Sequence, residues 1–220
     1  MGKILGVLGG MGPAATVAFM ERVLALTPAD RDADHIRMLV DLNPHVPDRH
    51  EQPEAAGRTL AEMAARLRDM GAEVLAMPCN TAHAHADGIR AAGLPFVDMI
   101  AETADAAAAA GTRRIGVLAT PGGEALYARA LAARGLEMAA PEGADRAAVM
   151  AAIFAVKAGD VGAGPRSEMR RLAAALVGAG AGAVVAGCTE VPLLIGPADV
   201  AVPLVNSAEA LAAACVRACA

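Results

Sequence analysis

The chain repeats itself loosely at about half its length, and this limits the folds open to it more than any other feature. Gly6-Val7-Leu8 returns as Gly116-Val117-Leu118 after 110 residues, Gly71-Ala72 as Gly180-Ala181 and Cys79 as Cys188 after 109, and Pro95 as Pro203 after 108. Four landmarks in one order at nearly one spacing point to two similar units in tandem, although the Ala- and Gly-rich composition inflates chance matches. A chain of 220 residues is long enough for one large domain or two small ones with ample core.

Each half alternates short apolar runs with helical patterns. Lys3–Leu8, Ile36–Leu42, Glu73–Met77 and Phe96–Asp98 read as strands, and Arg114–Ala119, Ala183–Ala186 and Val202–Val205 as further strands. Pro13–Leu26, Thr59–Met70 and Ser167–Val177 read as helices, with Thr59 and Ser167 as N-caps of the last two. Alternation of this kind predicts an α/β protein. The expected form is two pseudo-symmetric lobes, each a mostly parallel sheet flanked by helices, with the active site in the cleft between them. The lobes are expected at 1–104 and 105–205, with 206–220 packing back on the first. Ligands of open α/β sheets bind beyond the carboxyl ends of the strands, so the site is sought there.

Charge and hydropathy exclude several classes of partner. The net charge of -5 and the lack of a long basic stripe argue against nucleic acid. Gly, Pro or charged residues interrupt every apolar stretch, which argues against a membrane span. Met1–Phe19 resembles a signal peptide only superficially, because Gly9, Gly10, Gly12 and Pro13 break the apolar run. Gly6 stands where a myristoylation signal needs Ser or Thr. The expectation is a cytoplasmic protein whose four cysteines are thiols.

Cys79 follows the strand-like run Glu73–Pro78, and Cys188 follows Ala183–Gly187. Each is therefore expected at a strand's carboxyl end, and facing lobes would bring two thiols to one cleft from opposite sides. Racemisation needs such a pair, one group removing an α-proton and its counterpart delivering a proton to the other face. A thiol has an ordinary pKa of about 8.5, which a donor-rich setting lowers toward neutrality. The plain alternative, a small buried residue, fits Cys215 and Cys219, which lie i, i+4 on an Ala-rich terminal helix. It fits Cys79 and Cys188 poorly, because position, repeat and neighbours agree. A metal site is a weak alternative, since there is no CxxC or HxxxH pair and His83 and His85 do not share a helix face.

The flanking residues carry weaker signals. Asn80-Thr81 and Thr189-Glu190 are expected at helix starts, where N–H groups favour an anion, or where they are simple caps. The loop Gly9–Pro13 either lets backbone approach a small ligand or makes a tight turn, and it matches no nucleotide-binding pattern. Thr120–Gly123 is its counterpart in the second half. Arg49, in a loop stiffened by Pro44 and Pro47, could grip a carboxylate or lie solvated at the surface. Lys157 could do likewise or cap a helix end.

Together these segments resemble the aspartate/glutamate racemase family, most closely its aspartate-racemase branch. The resemblance rests on GVLGGMGPAAT at Gly6–Thr16, NPHVPDR at Asn43–Arg49, MPCNTAH at Met77–His83, LAT at Leu118–Thr120, VKAG at Val156–Gly159 and AGCTEV at Ala186–Val191. The paired Cys-Asn-Thr and Gly-Cys-Thr segments are specific to the superfamily, and GGMGP with PDR points to the aspartate branch. The resemblance implies Cys79 and Cys188 as catalytic bases, with no pyridoxal phosphate and no metal. It implies Arg49 and Lys157 on the substrate carboxylates and Met11, Asn80, Thr81, Thr120 and Thr189 lining the pocket. It also implies a homodimer acting on a small dicarboxylic amino acid. Gly123 departs from the pattern, standing where relatives commonly carry a hydroxyl residue, and this leaves the substrate more open than the reaction type. The other readings are a glutamate or broad-specificity amino-acid racemase, a cis–trans isomerase of a small diacid, or a non-catalytic small-diacid binding or thiol redox protein. A decarboxylase relative would need only one thiol.

Overall fold

The computed structural model describes residues 2–220. It contains two compact units. The first runs to Met99 and is rejoined by Ala208–Ala220, and the second is Ile100–Ser207. Each is built on a four-stranded sheet of parallel strands with helices packed on it.

The first unit contains β1 (Leu5–Gly9), α1 (Pro13–Leu26), β2 (Met38–Leu42), α2 (Pro53–Asp69), β3 (Val74–Ala76), α3 (Ala86–Arg90) and β4 (Phe96–Val97). Its strand order is β2-β1-β3-β4. Every residue of β1 and β3 is buried, as expected of central parallel strands covered on both faces. One face packs Leu60, Met63 and Leu67 of α2 on Leu8 and Leu75. The other packs Phe19 and Val23 of α1, with residues of the chain's last helix, on Leu5, Val7 and Val74.

The second unit contains α4 (Met99–Ala108), β5 (Arg114–Leu118), α5 (Pro121–Ala132), β6 (Glu137–Ala139), α6 (Gly143–Lys157), α7 (Ala163–Gly178), β7 (Ala183–Ala186) and β8 (Leu204–Asn206), with Met99 itself falling in the first unit. Its order, β6-β5-β7-β8, repeats that of the first sheet strand for strand. The last helix, α8 (Ser207–Cys219), belongs with the first unit from Ala208 onward.

The repeat extends to single backbone bonds. Gly71, with φ +99°, ends the turn after α2, and Gly180, with φ +91°, ends the turn after α7. Both sit in the left-handed C′ position that glycine fills without a Cβ penalty. Ala72 N–H then donates to Leu67 C=O, and Ala181 N–H to Leu176 C=O, both at 3.0 Å. Leu75 N–H donates to Pro95 C=O and Val184 N–H to Pro203 C=O, so the two prolines hold equivalent places.

Several elements differ from expectation. Thr59 and Ser167 are not N-caps: α2 starts at Pro53 after Gln52, and α7 at Ala163 after Gly162. Proline at the first position of α2 carries the start signal that Thr59 only mimics. The edge strand β6, of three residues, is an addition to the expected strands, as α3 to α6 are to the expected helices. Asn80 and Glu190 each precede a short 3-10 turn, Thr81–His85 and Val191–Leu193, rather than an α-helix, and neither side chain caps it.

Candidate active site

In the first unit the sequence-selected residues lie on the loops that leave β1, β2 and β3 at their carboxyl ends. Met11 follows β1, Arg49 follows β2, and Cys79, Asn80 and Thr81 follow β3. Met11 and Cys79 are about 5% exposed and share one buried cluster with Val46 of the Arg49 loop. Asn80 is buried and Thr81 half-buried.

The glycine loop is a close-packed turn. A Cβ on Gly10 would lie 2.3 Å from Asn43 backbone atoms, so its glycine is accounted for by the β2 loop without a ligand. Gly10 N–H donates to Thr16 Oγ1 at 3.0 Å, and Thr16 Oγ1 donates to Gly12 C=O at 3.1 Å, which fixes the loop above α1. Arg49 is half-buried rather than fully solvated. One of its terminal N–H groups donates weakly to Pro47 C=O at 3.4 Å, while its buried Nε has no hydrogen-bond partner. An orphaned buried guanidinium N–H is costly, and an acceptor arriving beside it would recover that cost.

His83, which the sequence alone suggests only as a poor metal ligand, holds the Cys79 turn in place. Its Nε2 accepts Met99 N–H at 3.0 Å, so Nδ1 carries the hydrogen and donates to Cys79 C=O at 2.9 Å. Burial pushes its pKa below the ordinary 6.5, which keeps the ring neutral and this tautomer fixed. No periodicity or motif in the sequence carries this bond.

In the second unit Thr120 follows β5 and Cys188 and Thr189 follow β7, again at carboxyl ends. Thr120 is the N-cap of α5, its Oγ1 accepting Gly123 N–H at 3.2 Å with Pro121 at the first helical position. A Cβ on Gly123 would stand 3.2 Å from Ala119 Cβ and 3.4 Å from Gly187 C=O, just before Cys188. A side chain at Gly123 would therefore meet close packing beside the loop that carries the thiol. Cys188 is 7% exposed, and its Sγ donates to Glu190 Oε2 at 2.9 Å. Thr189 Oγ1 donates to the same oxygen at 3.3 Å. Glu190, itself 3% exposed, belongs to the Thr189-Glu190 pair that the sequence reads either as an anion-favouring helix start or as a cap.

Lys157 ends α6 as an exposed cation, its Nζ 6.0 Å from the Phe154 ring centroid. That is the helix-terminal position the plain alternative describes, although its neighbour Val156 packs in the same core as Cys188. Cys215 and Cys219 are fully buried in α8 against β1 and β3, as ordinary core residues. All four cysteines are thiols. Among the described residues no group of three or more His, Cys, Asp or Glu is placed to hold a metal ion, and no helix is long and apolar enough to cross a membrane.

The duplicated parallel fold can be set beside known families. The family model described as Asp/Glu/Hydantoin racemase matches residues 8–215. The chain belongs to that family. Among solved structures, the aspartate racemase of Picrophilus torridus is 28% identical with a TM-score of 0.83, covering 99% of this chain and 94% of that one. A glutamate racemase of Synechococcus is 33% identical over 163 residues, 68% of this chain and 56% of the relative. A broad specificity amino-acid racemase of Bacillus subtilis is 30% identical over 107 residues, 46% of this chain and 47% of the relative. The chain thus spans about half the length of the curated relatives it matches. This member of the racemase family has the two-sheet α/β architecture of its structural neighbours.

Proposed function

We propose that this chain racemises a small dicarboxylic amino acid, with aspartate as the substrate, using Cys79 and Cys188 as opposed acid and base. The observation that carries the reading is the placement of both thiols. Each is buried within three residues of the carboxyl end of the third strand in a sheet of the same order, one per unit. On this reading one thiol serves each face of an α-carbon. One sulfur takes the α-proton as a thiolate, and the other gives its S–H proton to the opposite face. The reverse reaction exchanges the roles, which is why two groups of like chemistry suit it.

Arg49 and Lys157 would hold the two carboxylates, one each, and Met11, Asn80, Thr81, Thr120 and Thr189 would line the pocket. The unpartnered Nε of Arg49 supports its part. The similarity to a broad-specificity racemase and the exposed position of Lys157 favour one second reading, a racemase with loose side-chain selection.

Circular dichroism of L- and D-aspartate over time, with Cys79→Ala and Cys188→Ala beside the unaltered protein, tests the reading. Each single replacement should reduce racemisation by at least a thousandfold while thermal unfolding stays near that of the parent. Near-parental turnover by either one would exclude the two-thiol mechanism.

A further inference from the structure

The two halves repeat each other in sheet order, helix turns and thiol placement, but they part at the residues just after each thiol. Cys79 is followed by Asn80-Thr81, Cys188 by Thr189-Glu190. In the first unit the nearby titratable group, His83, bonds the Cys79 backbone carbonyl. In the second, a buried carboxylate takes a hydrogen bond from the sulfur itself at 2.9 Å.

We infer that Glu190 holds the Cys188 thiol in its protonated form, so that the resting enzyme starts with Cys188 as proton donor and Cys79 as proton acceptor. This rests on the two-thiol reading above. A carboxylate and a thiol share one hydrogen between Sγ and Oε2. Thr189 Oγ1 donates to the same oxygen, which favours it as an acceptor. Taking the hydrogen away would set a thiolate against a buried carboxylate, two like charges in a low-dielectric setting.

The proton balance is simple. The α C–H bond of substrate breaks, and its hydrogen forms an S–H bond on Cys79. The electron pair left on the α-carbon takes the hydrogen of Cys188 on the other face, and Glu190 ends the step still ionised. The product state has its protons inverted, with a Cys188 thiolate beside Glu190. Return to rest needs one proton delivered to Cys188 and one lost from Cys79, through solvent or by a turnover in reverse. Glu190 therefore makes the two directions unequal in resting state although the fold is nearly symmetric.

Iodoacetamide alkylation of each cysteine at neutral pH, followed by peptide mass spectrometry, separates the thiols. Cys79 and Cys188 are similarly buried, at 5% and 7%, and each rate is also read against that of the same cysteine in the variants. In the parent protein Cys79 should react faster. Glu190→Gln keeps the side-chain shape and should raise the Cys188 rate about tenfold or more, leaving Cys79 within twofold. Glu190→Asp, which keeps the charge, should restore part of the difference. A melting temperature near the parent's confirms that both variants are folded. Equal rates in the parent, or a Cys188 rate unmoved in folded Glu190→Gln, overturns the inference. Racemisation is assayed on the same samples. A parent that racemises no amino acid but shows the Glu190 effect overturns the proposed function and leaves the thiol assignment standing.

Discussion

At the scale of single residues, burial and hydrogen bonding separate four cysteines that look alike in the sequence. Cys215 and Cys219 fill space in the first unit's core, and burial raises the Cys219 thiol above its ordinary pKa. Replacing either by alanine should cost about 1 kcal/mol in urea unfolding and leave turnover per folded molecule unchanged. A large loss of activity with the fold intact would place that helix in the site. Arg49→Ala should raise KM for aspartate about ten- to a hundredfold, since charge-assisted hydrogen bonds contribute roughly 1.5–3 kcal/mol each. Arg49→Lys should recover only part of that, because a point charge cannot replace a planar fork. Lys157→Ala should penalise aspartate more than alanine if Lys157 holds the side-chain carboxylate, and equal small effects on both would make it a surface cation. His83 gives a pH dependence of known sign. Its pKa is lowered by folding, so the unfolded chain binds a proton that the native ring refuses. Its contribution is full above about pH 6.5 and is lost as pH falls toward the lower native value. The melting temperature should therefore fall on acidification below pH 6.5, and an NMR titration should find the His83 ring still neutral at pH values where a free imidazole is charged. A His83 ring that titrates like a free imidazole would contradict the buried clasp.

At the scale of elements, the duplicated strand–helix contact allows a matched comparison. A Cβ on Gly6 would lie 2.8 Å from both Ala72 Cβ and Leu75 Cδ2, whereas one on Gly116 would lie 3.1 Å from Leu176 side-chain atoms and 3.2 Å from Ala181 Cβ. Gly6→Ala should destabilise by roughly 1–3 kcal/mol and Gly116→Ala by less, as denaturant midpoints would show. The reverse order would mean that the first unit relaxes more easily than its packing suggests. These glycines also mark how far the sequence can be read unaided. Strands β1, β2, β5 and β7 and helix α1 are legible because apolar β runs and a proline start leave strong local signals. The beginnings of α2 and α7 are not, because Thr59 and Ser167 are polar residues inside helices, and only the surrounding structure tells a cap from a solvent-facing position. β6 offers three residues at a sheet edge and no clear alternation. Long Ala-rich stretches hide α4 and α6, since alanine gives a helical period no apolar–polar contrast. In the candidate site the thiols and their loops are visible as motifs. The bonds of His83 and Glu190 are not, because an i, i+2 or i, i+4 contact across an irregular turn depends on backbone angles that no period encodes.

At the scale of the whole molecule, two units of the same strand order carry one thiol each, and the proposed chemistry needs both. The family resemblance further implies a homodimer. Sedimentation at assay concentration should give the mass of two chains, and the mass of one chain would remove that expectation without touching the chemistry. The measurement closest to the central claim is α-proton exchange in deuterated water, followed by NMR and by chiral analysis, across a panel of L- and D-amino acids that includes aspartate, glutamate and alanine. The account predicts deuterium at the α-carbon of aspartate from either enantiomer, together with conversion toward equal amounts of both. Failure to exchange or invert any amino acid on the panel would contradict it.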